Sequence, residues 1–480
     1  MNILLVSAEV SPFAKVGGLA DVVGALPIAL KRLGVDVRII MPRYERLTGN
    51  PSLEPLLPDV VVTTGRGQEH CRVLTSQLPE TKVPVYLIEN TTYLSRGPVY
   101  NEHGVDEPFT ELARFLFFSA AVAEIVPLLG WEPNIVHCHD WHTGLVPALL
   151  ARRAVRAATV FTIHNLAHQG GWNAAAVLSF LELQEADGRH LATRDRHGDL
   201  NLLQQGVLGA TLINTVSPHY AQEILTPERG EGLAESLQDR RDDLVGIING
   251  IDTHQYDPAH DRYVRVRYTA ATIERKAENK LALHEQCGFT PDPTIPTFGF
   301  IGRLTEQKGV DLIVQHSTMM VRSGARLVLL GSGLADYESL VQKLTREHPR
   351  HIYARLGFDE AFARAIYAGC DLFLMPSVFE PCGLGQMIAM RYGTPPVVHA
   401  TGGLIDTVPD VAAEPERGLG FTFTPFTPKA FAESVARGLH WYHDRPRWQA
   451  LLSRCMTQDF SWDRSARAYL ELYQQARKTL

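Results

Sequence analysis

Glu380 closes an apolar run over 371–375 and is followed, after Pro381, by the small-residue turn Cys382-Gly383-Leu384-Gly385, which opens a helix expected over 386–392. Helix N-termini expose unpaired N–H groups and partial positive charge, so they attract anions such as phosphate. Glycines let that backbone approach a ligand closely. A second turn, Thr401-Gly402-Gly403, repeats the device. A carboxylate beside two phosphate-competent turns suits a phosphorylated sugar donor. Arg303 and Lys308, at the two ends of the turn Arg303-Leu304-Thr305-Glu306-Gln307-Lys308, form a plausible clamp for a diphosphate, Arg by paired hydrogen bonds and Lys as a point charge. Lys15, ahead of Gly17, Gly18 and a helix, is placed to meet an anion as well. His137-Cys138-His139-Asp140-Trp141-His142, with His164 and His168, offers imidazoles that could hold a metal. The glutamate of an H-E-x-x-H pair is missing, however, and Gly170 and Gly171 shorten any helix there. These side chains are expected to line a polar cleft, with no metal.

The elements that must carry these residues alternate strand and helix. A buried strand over 3–8, a helix over 19–33 stopped by Gly34, and a strand over 35–41 make a βαβ unit, which binds ligands at the C-terminal ends of its strands. Pro27 inside that helix predicts a kink. Further strands are expected over 85–89, 134–138 and 158–163, the last ending in His164-Asn165, with another at 214–217 and one over 244–248; a helix fills 109–126. Asn249-Gly250 is a turn, and the polar, proline-containing stretch 254–267 follows it. The second half restarts the architecture with a strand over 297–301, a helix over 310–320, strands over 326–330 and 352–357, and a helix over 360–368. The tail, 462–476, carries Ala466, Tyr469, Leu470 and Tyr473 at helical spacing. The expected fold is α/β with two Rossmann-like doubly wound domains: 1–249, 250–461, and a final helix over 462–480.

At 480 residues the chain exceeds one ordinary core, in keeping with two domains. A net charge of −7 without a long Lys/Arg run argues against nucleic acid as a partner. The six cysteines, at 71, 138, 287, 370, 382 and 455, form no C-x-x-C pair, so neither a disulfide scaffold nor structural zinc is expected, and a reducing cytoplasm fits. No targeting segment is visible. The apolar region 115–129 is interrupted by Glu124 and Pro127 and falls short of the roughly 20 residues of a membrane span.

The string Phe379-Glu380-Pro381-Cys382-Gly383-Leu384, followed by Thr401-Gly402-Gly403-Leu404 and Asp406-Thr407-Val408, resembles the nucleotide-sugar signature of GT-B glycosyltransferases, and specifically that of bacterial glycogen synthases and plant starch synthases, glycosyltransferase family 5. The resemblance runs in order through Lys15, His137, His164, Asn249, Arg303, Lys308, Glu380 and Gly402, nearly the whole chain. It implies a GT-B fold with two domains facing a deep cleft, the last helix crossing back to the first domain, and retaining transfer of glucose from ADP-glucose to an α-1,4-glucan without a cofactor. By the same resemblance Lys15, Gly17 and Gly18 contact the donor, Asp21 positions the sugar, and His164 donates to the transferred glucose. Asp140 and Asn165 belong to sugar-facing motifs, Asn249 faces the cleft, and Phe358 meets the adenine ring. Glu380 holds sugar hydroxyls, while Arg303, Lys308, Cys382, Gly383, Leu384, Thr401, Gly402 and Gly403 bind the donor. The expected chemistry is front-face displacement through an ion-pair-like transition state, with fixed cations in place of a metal. Gln204, Gly209 and Thr211 depart from the family pattern and bear on the acceptor contacts, and the segment 93–120 departs from the family's acceptor loop. The alternatives are a UDP-sugar transferase or a phosphorylase of the same fold, and a non-catalytic glucan- or nucleotide-sensing relative.

Overall fold

A computed structural model describes residues 1–100, 108–183 and 199–479, with no side-chain description at 108–110. Part of the expected acceptor loop, 101–107, therefore lies outside the described residues. The chain divides into two units, Met1–Gly250 with Trp462–Leu480, and Ile251–Ser461.

The first unit is built on strands β1 (Asn2–Val6), β2 (Asp36–Pro42), β3 (Glu54–Thr64), β4 (Gly67–Gln77), β5 (Pro84–Glu89), β6 (Ile135–His139) and β7 (Ala158–Ile163). It also holds a small pair, β8 (Gly171–Asn173) and β9 (Asp199–Asn201), and then β10 (Leu212–Thr215) and β11 (Leu244–Gly246). The main sheet runs β11-β10-β7-β6-β1-β2-β5-β4-β3. It is parallel from β11 to β5, and β4 and β3 add an antiparallel hairpin. Short uninterrupted apolar runs such as Ile3-Leu4-Leu5-Val6, fully buried, are what a sheet covered on both faces requires. The helix Gly18–Arg32 joins β1 to β2 and runs as one element through Pro27. It ends as expected at Gly34 (φ +81°), where the Val35 N–H bonds the Leu30 carbonyl and the Gly34 N–H that of Lys31.

The hairpin is absent from the elements expected from sequence. Its strands bury mainly one face, at Val60, Val62, Thr64, Cys71 and Val73, with Leu74 buried on the other, and Pro55 and Pro58 make the first of them read as loop.

The C-terminal helix, Trp462–Lys478, buries Trp462, Ser465, Ala466, Tyr469, Leu472, Tyr473 and Ala476 within the first unit, against the helix Gly18–Arg32 and strands β6 and β7. Gly250 makes the approach of its first turn possible, since a Cβ there would lie 2.6 Å from the backbone N and Cα of Trp462.

The second unit carries β12 (Thr297–Ile301), β13 (Arg326–Gly331), β14 (Ile352–Leu356), β15 (Leu372–Met375), β16 (Pro396–His399) and β17 (Phe421–Phe423) in the order β14-β13-β12-β15-β16-β17, all parallel. Counted from β12 this is the 3-2-1-4-5-6 order of a Rossmann sheet. Its order reverses between β12 and β15, and that of the first sheet between β1 and β6. Ligands of such sheets bind outside the strand ends at those reversals.

Candidate active site

Both reversals carry the residues singled out in the sequence. In the second unit β12 delivers Gly302 and Arg303, and β15 delivers Pro376, Ser377 and Glu380. Lys308 Nζ lies 2.6 Å from Glu380 Oε2, which also accepts from the Ser377 hydroxyl at 2.9 Å. Glu380 is 7% exposed, so Lys308 balances a charge largely withdrawn from water. Gln307 joins the two loops: its carbonyl accepts from the Val378 N–H at 2.8 Å, and its side-chain oxygen accepts from Arg303 Nη2 at 3.1 Å. Arg303 itself is exposed at the strand ends.

Gly402 (φ +46°) and Gly403 allow close approach to the protein's own backbone: a Cβ would lie 2.1 Å from the Glu380 carbonyl oxygen at the first and 2.4 Å from that of Cys382 at the second. The Gly403 N–H bonds the Glu380 carbonyl at 3.1 Å and the Pro381 carbonyl at 3.2 Å. The second turn therefore clamps the first, at residues 380–382. Phe358, just beyond β14, is 91% exposed.

In the first unit the loop after β1 is organised by Glu9, which the sequence reading missed. Its Oε2 accepts from the backbone N–H groups of Val16 (2.6 Å) and Gly17 (2.8 Å), and the Tyr100 hydroxyl donates to its Oε1 at 2.7 Å. The anion met by two of this loop's N–H groups is thus a carboxylate of the chain itself. Lys15 points outward, paired with Asp21 at 2.6 Å. Both are well exposed, and such a pair contributes little to stability, so it is free to rearrange around a ligand. Gly18 opens the following helix.

Across the reversal, β6 ends at His139 and Asp140, and β7 leads into His164 and Asn165. Asp140 takes φ +58° and accepts from the His164 N–H at 2.7 Å. Burial pushes its carboxyl up to about 7, with the Glu9 charge adding to the rise and the N–H groups of His164 and Asn165 opposing it. Asn165 caps its own turn through Ala167 N–H, and the Asn249 side-chain oxygen is buried without a hydrogen-bond partner among the described residues.

His137 does not line a cleft. It is fully buried, with Nδ1 2.8 Å from the Tyr473 hydroxyl of the C-terminal helix, and it also bonds Thr162. Alternation along β6 turns it under that helix. The departures from the family pattern are likewise built into the fold. Thr211 Oγ1 accepts from the Thr159 N–H at 3.0 Å, Gln204 Nε2 donates to Ser236 at 2.8 Å, and Gly209 lies against Pro147 and Ala148. Among the described residues no cluster of three His, Cys, Asp or Glu is arranged to hold a metal, and no helix is long and apolar enough to cross a membrane.

These histidines give the first unit an acid-sensitive core. Burial lowers His137, His142 and His164 to about 3, and His139 well below its ordinary value. The unfolded chain then binds more protons below about pH 6.5, so stability falls as pH falls. Asp140, raised to about 7, acts in the opposite sense, but it is one group against four. Melting curves are expected to show a loss on the order of 4 kcal/mol between pH 7 and 5.5. A melting temperature flat over that range would contradict the neutral, buried state of these imidazoles.

Residues 2–239 match the family described as starch synthase catalytic domain, and 295–440 match glycosyl transferases group 1. A glycogen synthase 2 of Geobacter sulfurreducens is 43% identical, covering 100% of this chain and 99% of its own. A glycogen synthase of Anaeromyxobacter is 44% identical, covering 98% and 99%. The catalytic domain of starch synthase IV from Arabidopsis thaliana, solved bound to ADP and acarbose, superposes with a TM-score of 0.90 at 34% identity, covering 99% of each chain. A sucrose-phosphate synthase from Thermosynechococcus elongatus shares the fold, with a TM-score of 0.61 at 18% identity. By fold the protein is a GT-B glycosyltransferase, with nucleotide-sugar and glucan substrates. Within that class the chain belongs to the family of bacterial glycogen synthases and plant starch synthases.

Proposed function

We propose that this protein transfers glucose from ADP-glucose to the non-reducing end of an α-1,4-glucan, with retention at the anomeric carbon and release of ADP. The observation that carries the reading is the cationic set at the Rossmann reversal, exposed Arg303 beside the Lys308–Glu380 pair. The anomeric C–O bond breaks and its electrons pass to the departing diphosphate. Arg303, Lys308 and Lys15 stabilise the charge growing there, since preorganised donors aimed at developing charge lower the barrier. Two of the Lys15 loop's N–H groups and that of Gly403 already have protein acceptors, so cationic side chains carry most of this task.

Glu380 Oε2 is engaged by Lys308 and Ser377, which suits the carboxylate to holding sugar hydroxyls rather than attacking carbon. A retaining glycosidase needs a free nucleophile of that kind. Front-face displacement, in which the acceptor hydroxyl enters on the side the diphosphate leaves and gives its proton to an oxygen of that departing diphosphate, requires no such nucleophile. His164 hydrogen-bonds the glucose, Asp21 positions it once Lys15 turns to the donor, and Phe358 packs on the adenine.

Supplying ADP-glucose or UDP-glucose with glycogen and measuring nucleoside diphosphate release tests the reading. ADP release at several-fold or greater preference is expected. Preference for UDP-glucose would favour the UDP-sugar alternative. Turnover that depends on inorganic phosphate would favour a phosphorylase. Binding of ADP-glucose without any ADP release would favour a sensing role.

A further inference from the structure

The buried histidines fix one another's protons. In the parallel register of β6 and β7, His139 stands opposite Thr162. Because side chains alternate along a strand, His137, His139, Thr162 and His164 share one face. The accounting starts at Asn214, whose Nδ2 donates to the carbonyls of Thr215 and Val245. Its Oδ1 is therefore the acceptor for the hydroxyls of Thr162 (2.9 Å) and Tyr469 (3.0 Å). With its only hydrogen committed there, Thr162 accepts from His137 Nε2–H, and His137 Nδ1 accepts from Tyr473.

The neighbouring pair can be resolved in the same way. His139 Nδ1 and His164 Nε2 are 3.0 Å apart, so one hydrogen lies between them. His139 Nε2 is buried without a partner among the described residues. If His139 accepted from His164, that orphaned nitrogen would carry a hydrogen, and buried N–H groups without acceptors are rarer than unsatisfied acceptors. Donation from His139 Nδ1 leaves only a bare lone pair. The hydrogen on His164 is then at Nδ1, which has no bonded protein partner among the described residues. Desolvation keeps both rings neutral at pH 7, so no extra proton is shared between them.

We propose that His139 is a positioning residue that holds the proton of His164 on Nδ1, so that this imidazole meets the substrate as a hydrogen-bond donor. The consequence for catalysis rests on the reading above that His164 touches the transferred glucose; the proton placement does not.

The test uses the full chain labelled with 15N-histidine. Two-bond 15N–1H correlation at pH 7.5 locates the proton on His164, whose signal is assigned by its loss in His164→Asn. Wild type is expected to show Nδ1–H. His139→Phe, which keeps a ring but offers no nitrogen, is expected to move His164 toward Nε2–H and to lower kcat about tenfold with KM changed by less than about twofold, the scale of one lost hydrogen bond. His139→Gln, whose amide can donate, is expected to recover part of both. Wild-type His164 protonated at Nε2 would overturn the proposal, as would an unchanged His164 tautomer in His139→Phe. Should His139→Phe fail to fold, the wild-type spectrum decides alone. A shifted tautomer with unchanged kcat supports the role of His139 and contradicts the contact between His164 and glucose.

Discussion

Replacing Arg303 by alanine is expected to lower kcat about 10²- to 10³-fold, the loss typical of removing one donor that stabilises developing negative charge. The melting temperature should barely move, because an exposed side chain contributes less than about 1 kcal/mol to folding. Arg303→Lys keeps the charge but not the planar fork, and should recover only part of the rate. Lys308→Ala behaves differently. On the proposed role it strips a cation from the leaving group, and it also leaves the Glu380 carboxylate, 7% exposed, without its counter-ion. Breaking one partner of a buried pair costs about 3 kcal/mol or more, so activity and stability should fall together. Steady-state kinetics with thermal melts on the two variants separates these outcomes. Equal loss of stability in both would make Arg303 structural.

The second large effect is expected at Gly309, the residue after Lys308. It sits at φ +65°, and a Cβ there would lie 1.8 Å from the Pro376 carbonyl oxygen. That atom belongs to backbone held in place by the Gln307–Val378 bond, so neither side can yield cheaply. Gly309→Ala combines a left-handed backbone penalty with overpacking and should destabilise the second unit by about 3 kcal/mol or more. The variant that folds at low temperature should also lose activity, since the loop carrying Lys308 is displaced from Glu380. Wild-type stability in Gly309→Ala would show that the two loops are not locked together.

Much of this arrangement was legible before any coordinates. The parallel strands announce themselves as short apolar runs ending in glycine or polar turns, and β7 and β12 fall where the sequence puts them. Arg303, Lys308 and Glu380 could be picked out because loop chemistry at strand ends is local. Residues whose role depends on register could not. Glu9 reads as one more acidic residue until its carboxylate is seen to organise residues 16 and 17. His137 and His139, two apart on β6, look equivalent in sequence, yet one bonds the C-terminal helix and the other bonds His164. That Gly402 and Gly403 lie against the backbone of residues 380–382 was not legible, because what they approach is set by tertiary packing.

The central claim is that fixed cationic side chains serve the leaving diphosphate, and Lys15→Ala measures it most directly. Lys15 lies on the first unit, and its exposed pairing with Asp21 contributes little to folding, so the variant should fold as the wild type does. With ADP-glucose and glycogen at saturation, kcat should fall about 10²-fold or more. Combined with Arg303→Ala, the loss should be smaller than the product of the single losses, because both act on the same charge. A Lys15→Ala enzyme that releases ADP at the wild-type rate would contradict the account.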